Sequence, residues 1–249
     1  MKRIIIISAI VVILILLFST FLLVNYFRCP KVDFDIAVLQ NAIEVVRMKL
    51  IFVRHGKDDD RYRGGWSSLD LIPEGVEQAK QLAKHLKDNN HTYQIAHIVS
   101  SDLTRTLTTA NIISSELNLS IHKEFQIRET NNGDLAGMLN DTALKQYPGL
   151  FFSSLEMDET YPNGESPKDF YWRIKRWFLE FTSNYPDVKG NILIVTHGGV
   201  INVIYHLVKR IEWSNKSRVF KAGNCSIHVL NMDTMEFEVE NKTDFISSK

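Results

Sequence analysis

Cysteine is nearly absent from this 249-residue chain. Cys29 and Cys225 lie far apart without CxxC or Cys/His spacing, so the sequence suggests neither a disulfide framework nor a zinc site. Net charge is missing as well: 29 basic and 29 acidic residues cancel, and no overall field draws in nucleic acid or an anionic membrane surface. Repeats, low-complexity tracts and long Gly/Ser/Pro linkers are also lacking, so nothing beyond residue 47 marks a domain boundary. Any function that uses charge must therefore be local. The 45% of hydrophobic residues suffices for a buried core.

What is present begins with an uncharged apolar run over residues 4–24. At about 1.5 Å per residue, such a run spans roughly the 30 Å hydrocarbon core of a bilayer, longer than the usual signal-peptide core. No A-x-A-like cleavage site follows. The sequence therefore predicts a retained membrane anchor over residues 1–27, with the lipid bilayer as partner, a juxtamembrane linker over 28–47 and one catalytic domain over 48–249. Lys2, Arg3 and the amino terminus slightly outweigh Arg28 and Lys31, which favours the catalytic domain on the outer face. Within the linker, Ile36, Leu39, Ile43 and Val46 recur at helical spacing. Translation starting at Met48 is the alternative, and would give a cytoplasmic form without the anchor.

After Met48, short apolar runs alternate with helical patterns. Lys49 to Val53, Ile95 to Val99 and Asn191 to Thr196 read as buried strands. Helices are expected from Pro73, over Asp102 to Leu117 with Asp102 as N-cap, over Pro167 to Thr182 entered at Ser166, and over Gly199 to Val208. Cys225 to Leu230 and Glu236 to Glu240 read as a closing hairpin. The pattern predicts an α/β fold, a three-layer α/β/α sandwich around a mostly parallel sheet.

Ligands of open α/β sheets bind beyond the carboxyl ends of the strands. The first strand runs into Arg54-His55-Gly56, the third into His197-Gly198-Gly199, and the second ends shortly before Arg105. Arg54 and Arg105 carry planar forks suited to phosphoryl oxygens, His197 adds a donor, and an imidazole can form a covalent phosphohistidine. Glu129, on a Gly-containing loop, is the best carboxyl to protonate a leaving alkoxide. Taken singly, Arg105 reads as a solvated helix residue and Glu129 as a surface carboxylate. Their placement with two histidines at one end of three strands is what gives the set its weight.

Leu50 to Gly56, Leu71 to Leu86, Ser100 to Ala110, Glu129 to Gly137, Pro162 to Ser166 and Val195 to Ile201 resemble the conserved segments of the histidine phosphatase superfamily, also called phosphoglycerate-mutase-like. The resemblance implies His55 as phosphorylated nucleophile, Arg54, Arg105 and His197 as phosphate pocket, with Gly198 beside it, and Glu129 as proton donor. It implies a histidine acid-type phosphomonoesterase acting on a small phosphorylated substrate, without metal or organic cofactor. The run Lys57-Asp58-Asp59-Asp60-Arg61 departs from the family pattern, in which an Asn helps to bind phosphate. Arg61 or Arg63 is the expected replacement. The three aspartates read either as a barrier to polyanionic substrates or as a solvated acidic turn. A mutase-type His-Tyr-Gly pattern after the acid is lacking, which favours hydrolysis. A phosphoglycerate-type mutase and a non-catalytic phosphate-binding scaffold stay as alternatives. Phe151 is expected to line the pocket and Trp172 to lie in the core.

Overall fold

The structure, a computed structural model, describes residues 48–184 and 189–247. The expected anchor and juxtamembrane helix lie outside the described residues, among which no helix is long and apolar enough to cross a membrane.

Six strands form one sheet: β1 (Lys49–Arg54), β2 (Ile95–Ser101), β3 (Ile121–Glu124), β4 (Asn191–Thr196), β5 (Ile227–Asn231) and β6 (Glu236–Lys242). Their order is β3-β2-β4-β1-β5-β6. The pairs β3/β2, β2/β4 and β4/β1 are parallel, whereas β5 runs antiparallel to β1 and β6 to β5. The sheet is thus mixed, because a tight hairpin can join only antiparallel strands and the chain ends on one.

The helices are α1 (Pro73–Asp88), α2 (Asn90–Tyr93), α3 (Thr104–Leu117), α4 (Asn140–Gln146), α5 (Pro167–Asn184) and α6 (Gly198–Lys209). Alternation along the strands sorts the core into two layers. Leu50, Phe52, Ile192 and Ile194 meet Phe170 and Ile174 of α5 and Val200 and Ile204 of α6. Ile51, Val53, Leu193 and Val195 meet Ala79, Leu82 and Leu86 of α1 and Ala110 and Ile113 of α3. Because β1 and β4 are covered on both faces, they read as unbroken apolar runs.

Local chemistry sets the helix starts. Pro73 opens α1 with Glu74 in its first turn, favourable for the missing N–H and the helix dipole. Ser166 and Asp169 cap α5 reciprocally: Asp169 N donates to Ser166 Oγ at 3.1 Å and Ser166 N to Asp169 Oδ2 at 3.3 Å. Asp102 does not cap α3, which begins at Thr104 with Leu103 as N-cap. Arg128 takes its carboxylate instead, Nη2 reaching Oδ2 at 2.6 Å, while Thr106 Oγ1 donates to the Leu103 carbonyl at 2.6 Å. Trp172, expected in the core, is 48% exposed. Phe170, Ile174, Trp177 and Phe178 define the inward face of α5, and position 172 falls on the other side.

Candidate active site

The carboxyl ends of β1 and β4 are level, because Arg54 pairs with Thr196 and His55 N donates to the Thr196 carbonyl at 3.0 Å. His55 and His197 each follow by one residue, so their rings meet edge to face with centroids 5.1 Å apart. Both are buried. β2 lies on the far side of β4 and carries Ser101, whose Oγ is 2.9 Å from His197 Nε2. Arg105, in the first turn of α3, is 1% exposed and reaches between the two imidazoles.

The hydrogen bonds fix the tautomer of His55. Its Nδ1 lies 2.7 Å from the Gly56 carbonyl, which can only accept, so Nδ1 carries the proton. Nε2 keeps its lone pair and accepts from Arg105 Nε at 3.3 Å. Burial, then Arg105 and Arg54, hold His55 well below the usual histidine range, which keeps it neutral and nucleophilic at neutral pH. His197 is lowered by burial, Arg105 and His55. Its Nδ1 accepts from Arg105 Nη2 at 3.3 Å. Since Arg105 can only donate, the His197 proton sits on Nε2, which donates to Ser101 Oγ.

Arg54 donates through Nη1 to the Ala222 carbonyl at 2.7 Å, and its buried Nε has no hydrogen-bond partner. Burial lowers the pKa of both Arg54 and Arg105, opposed by the carboxylates of Glu129 and Asp58. Gly198 opens α6 directly against Arg54. Glu129 accepts from Gly199 N and from Thr130 N, each at 3.0 Å, which sets its carboxylate at the start of α6. A Cβ on Gly199 would fall 2.2 Å from Glu129 Oε1, so that position has to be glycine for the carboxylate to sit there. Arg173 on α5 holds the loop from below, donating to the Arg128 carbonyl at 3.0 Å and the Glu129 carbonyl at 3.1 Å and pairing with Glu165 at 2.7 Å.

Arg54, His55, Arg105, Glu129, Gly198 and Gly199 line one cleft of about 580 Å³, together with Arg63, Phe151, Tyr161 and Arg218. The structure thus brings together Arg54, His55, Arg105, Glu129, Gly198 and Arg63 on its walls, with His197 in contact with Arg105 beneath. Phe151 lines the cleft as expected. Arg61 does not reach it: its guanidinium grips Asp59, Nε to Oδ1 at 2.9 Å, and its side chain is 75% exposed. Two aspartates of the acidic run are therefore engaged locally, Asp59 by Arg61 and Asp58 by Arg105, whose Nε lies 3.5 Å from Asp58 Oδ2.

Sequence reasoning placed Asp58 in the acidic run without pairing it with Arg105, and did not single out Ser101, Thr109 or the Arg173–Glu165 pair. Thr109 lies one helical turn after Arg105, and its Oγ1 accepts from Gly56 N at 3.1 Å. That i, i+4 spacing was a usable signal; the long-range pairing of Arg173 had none. Among the described residues, no group of three or more His, Cys, Asp or Glu is placed to hold a metal ion.

Asp58 competes with any incoming anion for Arg105. Asp58→Asn is therefore expected to tighten inhibition by orthovanadate roughly fivefold, from about 1 kcal/mol of relieved repulsion. The inhibition constant measures this, and unchanged or weaker inhibition would contradict it.

Residues 50–244 match the model of the histidine phosphatase superfamily (branch 1). Phosphoserine phosphatase 1 of Hydrogenobacter thermophilus is 30% identical over 191 residues, covering 75% of this chain and 87% of that protein. A 2,3-bisphosphoglycerate-dependent phosphoglycerate mutase of Afipia carboxidovorans is 29% identical over 206 residues, 78% of this chain and 96% of the mutase. Among solved structures, a mycobacterial glucosyl-3-phosphoglycerate phosphatase in complex with inorganic phosphate is similar with a TM-score of 0.64 at 25% identity, covering 80% of this chain and 100% of that one.

Proposed function

Because this chain belongs to branch 1 of the histidine phosphatase superfamily, we propose that it is a phosphomonoesterase working through a phosphohistidine on His55. The observation that carries the reading is the Nδ1–H bond from His55 to the Gly56 carbonyl, which leaves the Nε2 lone pair facing Arg105. Nε2 attacks phosphorus while the bond to the ester oxygen breaks. Arg54 and Arg105 balance the charge on the transferring oxygens. Glu129 gives a proton to the leaving oxygen. In the second half, water attacks the phosphohistidine with Glu129 as base, returning free imidazole and inorganic phosphate.

Rapid quenching with a 32P-labelled ester tests the reading: an acid-labile, base-stable label is expected on the peptide containing His55. No label together with tight ester binding would favour a scaffold. A mutase, the activity named for the relative from Afipia carboxidovorans, would move phosphoryl groups between positions without steady release of inorganic phosphate. Glu129→Gln is expected to lower kcat for an alkyl phosphate about 10²- to 10³-fold, and far less for 4-nitrophenyl phosphate, whose leaving group needs no proton. Equal losses on both esters would remove Glu129 from the acid role.

A further inference from the structure

The guanidinium of Arg54 depends on a single acceptor. Among the described residues, only the Ala222 carbonyl takes a hydrogen bond from it, Nη1 donating at 2.7 Å, while its Nε is buried without a partner. That carbonyl belongs to the peptide between Ala222 and Gly223, and the N–H of the same peptide donates to Asn241 Oδ1 at 2.7 Å. A trans peptide is planar with its C=O and N–H on opposite sides, so whatever fixes the N–H also fixes the direction of the carbonyl. Arg54 and Asn241 therefore hold one plane from its two edges.

Asn241 is itself placed by an irregularity of the sheet. Between the pairs Ile227/Lys242 and Val229/Val239, β5 advances by two residues and β6 by three, and Asn241 lies in the resulting bulge with a φ of 47°. Bulges re-aim side chains, and asparagine tolerates the left-handed region better than most residues. Its own N–H donates to His228 Nδ1 at 3.2 Å, which the Tyr205 hydroxyl approaches to 2.8 Å. Because Nδ1 accepts, the His228 proton sits on Nε2 and faces Ser226 Oγ at 2.9 Å. Burial lowers His228 to about 4, so the imidazole is neutral at neutral pH and keeps that acceptor. Ser226 N in turn donates to the Gly223 carbonyl at 3.1 Å, which ties the network back to the segment that Arg54 leans on. Asn241 is not among the residues that line the cleft.

We propose that Asn241 is a positioning residue for Arg54: through the Ala222–Gly223 peptide it sets the carbonyl that orients the fork, and so the strength with which the pocket grips a phosphoryl group. The inference rests on the reading of Arg54 as part of the phosphate pocket. Without the Asn241 amide the peptide is free to turn about its flanking bonds, glycine at 223 offering little steric resistance, and the remaining Arg54 donors lose their fixed aim.

Asn241→Gly removes the acceptor while suiting the left-handed backbone, so the bulge itself is kept. Calorimetry with inorganic phosphate on the full chain, which needs no turnover, compares the native protein, Asn241→Gly, Arg54→Gln and the double variant. Asn241→Gly is expected to weaken phosphate binding about five- to tenfold, the size of one lost hydrogen bond. The double variant should bind no more weakly than Arg54→Gln, because a residue that acts through Arg54 then has nothing left to act on. Asn241→Asp, which retains Oδ1, should bind close to the native protein. If Asn241→Gly folds poorly by its melting temperature, Asn241→Ser, whose hydroxyl falls one bond short of Gly223 N, decides the same comparison. Unchanged affinity in the variant lacking the acceptor, additive losses in the double variant, or equal weakening by Asn241→Asp would overturn the proposal. If the phosphomonoesterase reading alone were wrong, ester hydrolysis would be lacking while this pattern of phosphate affinities persisted.

Discussion

His55→Ala is expected to lower kcat/KM for any phosphate ester by about 10⁴-fold and to abolish the phosphoenzyme. The size follows from removing the attacking atom itself, which leaves only charge neutralisation to assist direct attack by water. Arg105 and Arg54 would remain, and phosphate or vanadate should still bind. The substitution also frees the Gly56 carbonyl from His55 Nδ1 and opens a gap beside His197, so thermal unfolding should be measured alongside turnover. A variant that folds, binds vanadate and does not turn over is the expected result. Retention of even a tenth of the activity would assign the nucleophile elsewhere.

The largest stability effect is expected at Gly75, which carries no catalytic group. Alanine normally improves a helix interior by about 1 kcal/mol over glycine. In the first turn of α1, however, a Cβ would fall 2.0 Å from the Lys57 carbonyl oxygen and 2.6 Å from its nitrogen. The obstacle is backbone on the chain that leaves the active site, tied to the same helix by Ile72 N donating to the Lys57 carbonyl at 3.1 Å and Lys57 N to Gln78 Oε1 at 3.0 Å. Gly56 makes the reciprocal approach, a Cβ there lying 2.4 Å from the Gly75 carbonyl oxygen. Gly75→Ala should therefore destabilise by about 3 kcal/mol, read as a fall in melting temperature of roughly 6–12 °C. Because residues 55–58 would shift with it, activity should drop as well. A melting temperature within a degree of the native protein would mean that the two glycines are not in the contact described.

The chemistry that was legible in the sequence is the chemistry carried by strand ends. Arg54, His55 and His197 follow apolar runs directly, and a strand buried on both faces leaves no choice about which end its successors occupy. Helix starts were less legible. Asp102 looked like a cap, but Arg128, distant in sequence, offers its carboxylate a charged partner, and local capping yielded to a tertiary ion pair. Arg61 failed for the opposite reason: Asp59, only two residues away, captures it before it can turn to the cleft. Arg63, two residues on from Arg61, has no such neighbour and lines the cleft. The buttress of Arg173 and Glu165 under the acid loop joins segments that show no common pattern until they are folded. The mixed sheet follows from the terminal hairpin, which the sequence signalled without revealing that β5 would pair with β1.

The position of β1 has a consequence for how the protein is made. It is the first strand of the sheet to be synthesised, yet its neighbours are β4 and β5, with Leu50 opposite Ile192 on one side and Leu230 on the other. Roughly 180 residues must leave the ribosome before both edges are covered, an interval of about 10–40 s at ordinary elongation rates. Throughout it, a strand whose residues Leu50 to Val53 are fully buried in the finished fold is held open on a growing chain, and loop closure over such distances slows pairing further. Arg54 and His55 therefore become a binding site only in the final stage of synthesis, and a nascent chain halted before β4 would present an adhesive edge where the finished protein has its active site.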